Sequence, residues 1–220
     1  MLATWLLVAA PPLSAAPSDS DVARVEASWI LARIARPAPT RTAFVELRGS
    51  PLLKKPLRIE GEYQRPRADT LVREVRTPYA ETTTIVSGNT GGGQVQVARA
   101  GKAPRSFSLL RAPELAGLQA SFGALLAGDR VLLEQHYRIA AAGSRSRWTL
   151  LLTPKQAAMS AKVRAIVLHG RGAELRCIET QPQKGDVQRT LLAGAARAAS
   201  DVADAGQLLA LCQANLSTAQ

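Results

Sequence analysis

Two histidines, two cysteines and three acidic residues are where covalent or metal chemistry would have to begin in this chain. His136 and His169 each fall in a predicted strand with no neighbour at metal-ligand spacing, so ordinary strand histidines are expected. A hydrolase or transferase needs a poised nucleophile, acid or base. Asp129, Glu134 and Asp186 are the carboxylates available for that work, and nothing in the sequence pairs them. There is no Gly-x-Ser-x-Gly elbow and no His-Glu-x-x-His. Gly91-Gly92-Gly93 lacks the Gly-Lys-Ser/Thr ending that cradles a phosphate, and it reads as a hairpin loop. Cys177 and Cys212 are open to two readings: a disulfide in an oxidising compartment, or two unpaired small apolar side chains. No constellation argues for an enzyme, and neither a cofactor nor a metal is expected.

Charge points elsewhere. The 220 residues carry 28 Lys+Arg against 17 Asp+Glu, a formal net charge of +11. The basic residues are spread over most of the strands and loops, and three Phe and three Tyr are few for stacking bases, so no nucleic acid partner is expected. The same charge would favour an anionic membrane surface. A hydrophobic fraction of 46% excludes a disordered chain, and the length suits one domain with a real core.

Residues 1–18 contain no charged side chain, and the apolar run Leu2–Ala10 is too short for a bilayer span, which takes about 20 residues. Pro11, Pro12 and small residues follow, as in a secretory signal, so 1–18 is read as a signal peptide and export is expected. Asp19 and Ser20 are placed to cap a helix over Asp21–Arg36, with Val22, Val25, Trp29 and Ile30 on its apolar stripe and Pro37 and Pro39 ending it. The period then changes to two. In Leu57–Gln64 the positions Leu57, Ile59, Gly61 and Tyr63 alternate with Arg58, Glu60, Glu62 and Gln64, the pattern of a half-buried antiparallel strand. Further strands are predicted at Thr42–Arg48, Leu71–Thr77, Glu81–Ser87, Val95–Arg99 and Ser106–Leu110. Others follow at Gln135–Ala141, Arg147–Leu152, Val163–His169, Ala173–Glu179 and Val187–Leu192. Arg65-Pro66, Thr77-Pro78 and Ser87-Gly88-Asn89 read as turns. A second helix is expected over Pro113–Leu126, with Leu115, Leu118, Phe122 and Leu125 on one face and Gly128-Asp129 closing it. A last helical pattern covers Ser200–Leu211. The expected architecture is mainly β: a curved, half-open antiparallel barrel of ten to eleven strands, covered on one side by helices. The expected divisions are the sheet domain at 19–199 and a helical tail at 200–220.

These residues resemble the LolA-type carriers that move lipoproteins through the periplasm of Gram-negative bacteria. The resemblance rests on Phe44-Val45-Glu46, Gly61 to Tyr63, Arg65-Pro66 and Ser87-Gly88-Asn89. In the second half it rests on LLAGD at Leu125–Asp129, WTLLLTP at Trp148–Pro154 and VRAIVLHGRGAEL at Val163–Leu175. It covers about residues 22–192, and the details are closer to the shorter LolA-related subgroup than to the housekeeping carrier. The resemblance implies an incomplete antiparallel barrel closed by helices over an apolar cavity for acyl chains. It also implies a periplasmic monomer that takes an acylated lipoprotein or other lipid cargo from an inner-membrane donor complex to an outer-membrane acceptor. The family's arginine in the Arg-Pro motif, associated with holding the helical lid and releasing cargo, maps onto Arg65.

A concave wall of alternate strand residues would shelter an acyl chain, at about 0.8 kcal/mol per CH₂ removed from water, without a catalytic group. On this reading Leu57, Ile59, Tyr63, Leu71, Val75, Ile85, Val97, Leu109, Ile139, Leu150 and Leu152 face the cargo. Trp29 and Phe122 would face it from the covering helices. The alternative is a basic, non-catalytic module of a cell-envelope assembly, its barrel filled by its own side chains.

Overall fold

The protein is described by a computed structural model covering residues 24–48, 54–88, 92–111 and 123–213. The signal peptide 1–18, the caps Asp19 and Ser20, Phe122 and most of the second predicted helix lie outside the described residues.

The period-two segments become eleven strands: β1 Thr40–Arg48, β2 Leu57–Arg67, β3 Thr70–Thr77, β4 Glu81–Ser87, β5 Gly93–Arg99, β6 Lys102–Ser108, β7 Tyr137–Gly143, β8 Trp148–Pro154, β9 Val163–Arg171, β10 Glu174–Pro182 and β11 Gln188–Leu192. They form one sheet in the order β6-β5-β4-β3-β2-β1-β11-β10-β9-β8-β7, with every pair antiparallel. Two meanders, β1 to β6 and β7 to β11, are thus joined where β1 meets β11. The sheet does not close, because β6 and β7 remain its edges. The β6 edge resists further pairing: Pro104 has no N–H to offer, and Lys102 and Arg105 stand exposed beside it.

Helix α1, Ala27–Ile34, buries Ile30, Leu31 and Ile34, one side of the cylinder, against the concave face. It starts later than the predicted Asp21, since residues 24–26 are not helical. The Val25 N–H instead donates to Gly143 O at the end of β7 (3.1 Å), tying the chain to the sheet edge where a helical turn was expected. A helical stretch over 123–127 ends at Gly128, whose φ of +69° suits a residue without a Cβ. The bonds Gly128 N–H to Leu125 O (3.1 Å) and Asp129 N–H to Ala124 O (2.8 Å) complete that stop. Asp129 then starts the next helix, its carboxylate accepting from the Leu132 N–H at 2.9 Å. That helix, α2 (Arg130–His136), corrects the sequence reading, which placed His136 in a strand. Short α3 (Ala157–Ser160) links β8 and β9.

The C-terminal region brings the largest correction. The single helix expected over Ser200–Leu211 is two, α4 (Ala193–Arg197) and α5 (Ala205–Gln213). Asp204 and Gln207 set the start of α5: Asp204 accepts from the Gln207 N–H (2.9 Å), and Gln207 Oε1 from the Ala203 N–H (2.8 Å). Both helices lie on the outer face, with Ala195, Ala196, Ala199, Val202 and Leu208 packed against Val45, Cys177 and Leu191. The sheet is therefore covered on its outer side at the central strands β1, β11 and β10, while α1 covers the concave side at β7, β8 and β10. Leucines neighbouring in β11 explain how: Leu191 points outward and Leu192 inward, each 3% exposed or less. A disulfide joins Cys177 of β10 to Cys212 of α5, resolving the open question about the cysteines.

Candidate functional site

The pleat sorts the predicted cargo-facing residues. The register aligns Ile59 with Glu46, Tyr63 with Arg73, Leu71 with Ile85, Val97 with Thr83, and Ile139 with Leu152, which puts the predicted strand positions on the concave face. Leu109 follows β6 in a single 3₁₀ turn with Leu110 and Arg111, a correction to the predicted strand Ser106–Leu110. These residues divide among three apolar clusters. Leu150 and Leu152, with half-buried Ile139, pack under α1, whose own Trp29 borders the same cluster. Ile59 and Val75, with Leu57 and Tyr63, surround Phe44 and Leu192. Ile85 and Leu109, with Val97, form a third group near the open edge. Trp29 is only half-buried, its ring lying 5.6 Å from the Arg33 guanidinium and 5.5 Å from that of Arg145.

Leu71 lines the space left between the arms of the sheet, a cavity of about 110 Å³ bounded also by Ile34, Tyr63, Arg65, Leu126 and Leu192. Small-molecule pockets run to roughly 300–1,000 Å³. The space under α1 is packed nearly shut, and what fills it is largely the helical cover: Ile30, Leu31, Ile34, Leu125 and Leu133, each 3% exposed or less; a wider depression of about 360 Å³ opens at the β5–β6 edge beside Val97 and Phe107. Sequence reasoning missed Leu31 and Ile34, although their spacing from Ile30 is that of one helix face. It also missed Ile166 and Leu168 of β9, whose strand is buried on both faces and so lacks a clean alternation.

Arg65 sits at the cavity wall. The predicted Arg65-Pro66 turn is instead the end of β2, and the turn itself is at residues 68–69. The register shifts between Gln64 and Arg67, so Pro66, which has no ladder donor, occupies an irregularity. The Arg65 side chain, 8% exposed, reaches the C-terminal end of α1: Nη1 donates to Arg36 O at 3.1 Å, and Nη2 to Ala68 O at 3.4 Å. Carbonyls past a helix's last turn lack partners within the helix, so a cation donating there satisfies both hydrogen bonding and the helix dipole. The same corner is tied by Arg36 N–H to Leu126 O (2.8 Å) and Arg36 Nη2 to Ala173 O (3.0 Å).

The polar residues on this face are mutually engaged. Arg73 Nη2 meets Glu46 Oε1 at 2.6 Å, and its guanidinium lies 4.7 Å from the Phe44 ring centre. Glu46 also accepts from Arg48 (3.0 Å) and Thr190 (3.3 Å). Burial pushes the Tyr63 hydroxyl above its ordinary pKa, against the opposing pull of Arg73.

Three of the groups first considered for chemistry have structural partners. Asp129 caps α2, Glu134 pairs with Arg130 at 2.7 Å, and His136 Nδ1 lies 3.2 Å from Gln156 Nε2. Asp186 is exposed in the loop before β11. His169, Glu179 and Cys212 come close together, but the Cys212 sulfur is committed to the disulfide and offers no thiolate to a metal.

The family model for LolA-like outer membrane lipoprotein carrier proteins matches residues 16–215. That span extends the resemblance seen at 22–192 through both C-terminal helices. Among curated proteins, none matches the sequence. An unclosed antiparallel sheet with a helix-covered concave face, and a family match over nearly its whole length, agree: the chain belongs to the LolA-like family of outer membrane lipoprotein carrier proteins.

Proposed function

We propose that the protein is a periplasmic, non-catalytic carrier that binds the acyl chains of a lipoprotein or related lipidated molecule between the sheet and its helical cover, and delivers it toward the outer membrane. The observation that carries this reading is that the apolar concave wall of β7, β8 and β10 is covered by helix α1, anchored at its end by Arg65. Withdrawing α1 would expose Leu150, Leu152, Ile166 and Leu168 as a continuous hydrocarbon surface. The energies are balanced enough for loading and release. A sixteen-carbon chain gains on the order of 13 kcal/mol on leaving water, while re-exposing three large aliphatic side chains of α1 costs roughly 5–9 kcal/mol. Arg65 is proposed as the lid latch, and the cargo wall as the residues assigned from the sequence, with the inner faces of β9 and α1 added.

Export through a cleaved segment at 1–18 is part of this proposal. The disulfide supports an oxidising compartment. No helix among the described residues is long and apolar enough to cross a membrane. The carrier would act as a monomer between an inner-membrane donor and an outer-membrane acceptor, with its positive charge favouring anionic lipid surfaces. The domain is taken as 19–199 and the tail as 200–220, with α5 within that tail bracing the outer face.

One observation favours a second reading, a basic envelope-assembly module: the cavity of about 110 Å³ is far smaller than an acyl chain. Titration with a fluorescent long-chain fatty acid separates the two. Saturable uptake near one per protein, with a lipid recovered by mass spectrometry of the purified protein, supports the carrier. Absence of uptake by the native protein and by an Arg65→Leu variant refutes it.

A further inference from the structure

A second depression, of about 360 Å³, opens on the outer face of the sheet, where β8 and β9 meet the end of α5. Arg147, Thr149, His169, Arg171, Arg176 and Cys212 line it, and no Asp or Glu does. The register of β10 shifts between Leu175 and Cys177, and such an irregularity re-aims a side chain. Arg176 thereby joins Cys177 and the disulfide on the outer side. Arg176 is 7% exposed; its Nη1 donates to Glu174 Oε2 at 3.2 Å, whereas its buried Nη2 has no hydrogen-bond partner among the described residues. The buried Nε2 of His169 has none either. The nearest carboxylate oxygen to that nitrogen, Glu179 Oε2, is 4.0 Å away and already accepts from Arg189 at 2.9 Å. Leaving a buried guanidinium nitrogen and an imidazole nitrogen without partners is unfavourable, so each calls for a group to satisfy it.

We propose that this pocket binds a phosphate group. Donors converge on it from the residue before β8, from β9 and from β10, so they approach from several directions. A carboxylate presents two oxygens in one plane, whereas a phosphate presents at least three around a tetrahedron, which matches guanidinium forks arriving from different strands. The exposed Arg147 and Arg171 supply charge at the rim, and Arg176 and His169 supply direction at the floor. The α5 wall is held in place by the Cys177–Cys212 bond. The site is on the opposite face from the acyl cleft, so it stands whether or not fatty acid is taken up.

The test is calorimetric titration of the full exported chain with inorganic phosphate, beside flotation with phosphatidylglycerol–phosphatidylcholine vesicles. One saturable phosphate per protein is expected, weakened about tenfold or more in Arg176→Gln and unaffected in Arg99→Gln/Arg105→Gln at the β5–β6 edge. If Arg176→Gln does not fold, the exposed pair Arg147→Gln/Arg171→Gln carries the comparison. Vesicle binding that needs Arg176 and is displaced by phosphate identifies a lipid headgroup as the source. Phosphate binding without Arg176-dependent flotation identifies a soluble phosphate compound. No saturable binding, or equal weakening by the β5–β6 control, overturns the proposal.

Discussion

Replacing Arg65 with leucine removes two donors from a buried corner while keeping an apolar side chain in the cavity wall. The bond to Arg36 O at 3.1 Å is a charge-assisted one, worth about 1.5–3 kcal/mol. The 3.4 Å contact to Ala68 O adds little at that length. If that bond holds the lid, the open population of α1 rises by roughly ten- to hundredfold in Arg65→Leu. The measurement is amide hydrogen exchange at Ala35 and Arg36, whose N–H groups donate to Leu31 O and Leu126 O. Exchange there should accelerate by that factor, while strand amides of β8 and β9 change only as much as global stability does. Fatty-acid uptake should speed up, and transfer from protein to vesicles should lose its control. Unchanged exchange at these two amides, or acceleration matched everywhere in the sheet, refutes the latch.

The Cys177→Ser/Cys212→Ser pair should lower unfolding stability by about 4 kcal/mol, from the loop-closure entropy of a 35-residue separation, as read by urea denaturation. Fatty-acid uptake should survive, because α5 lies on the other face. Gly61→Ala should cost at least about 3 kcal/mol in thermal unfolding, since an added Cβ would stand 1.8 Å from Glu74 O and 2.9 Å from the Phe44 ring. Burial, outweighing the raising pull of Glu179, lowers the pKa of His169 below its ordinary 6.5. The unfolded chain then binds a proton that the folded one refuses, so stability falls as pH drops below about 6.5 and levels off beneath the folded value. Without phosphate, His169→Gln should flatten that slope in denaturation curves measured from pH 7 to 5.

The carrier reading and the phosphate site divide the molecule by face. The sheet's concave side holds its cover with hydrogen bonds to main-chain carbonyls and with apolar contacts, and the apolar contacts are the ones hydrocarbon can replace. Its outer side is braced by a covalent bond and two helices, and cannot open in the same way while the disulfide is intact. If both proposals hold, cargo release and phosphate binding are expected to be independent.

Much of this architecture was legible in the order of residues. A period of two survives wherever one strand face meets water, so Glu81–Ser87 was bounded as observed and Leu57–Gln64 lacked only its last three residues. Local pattern failed where a few residues serve two elements. Gly128 and Asp129 end one helix and start the next, and Pro66 sits in an irregularity of a strand rather than in a turn. Only the tertiary structure decided that the C-terminal helices cover the outer face, that Arg65 reaches Arg36 O, 29 positions away, and that Arg176 points out beside the disulfide. Such placements depend on sheet curvature and on register shifts, which arise from the packing of all eleven strands together. Side-chain period reports which way a residue faces relative to its neighbours, but not what lies opposite.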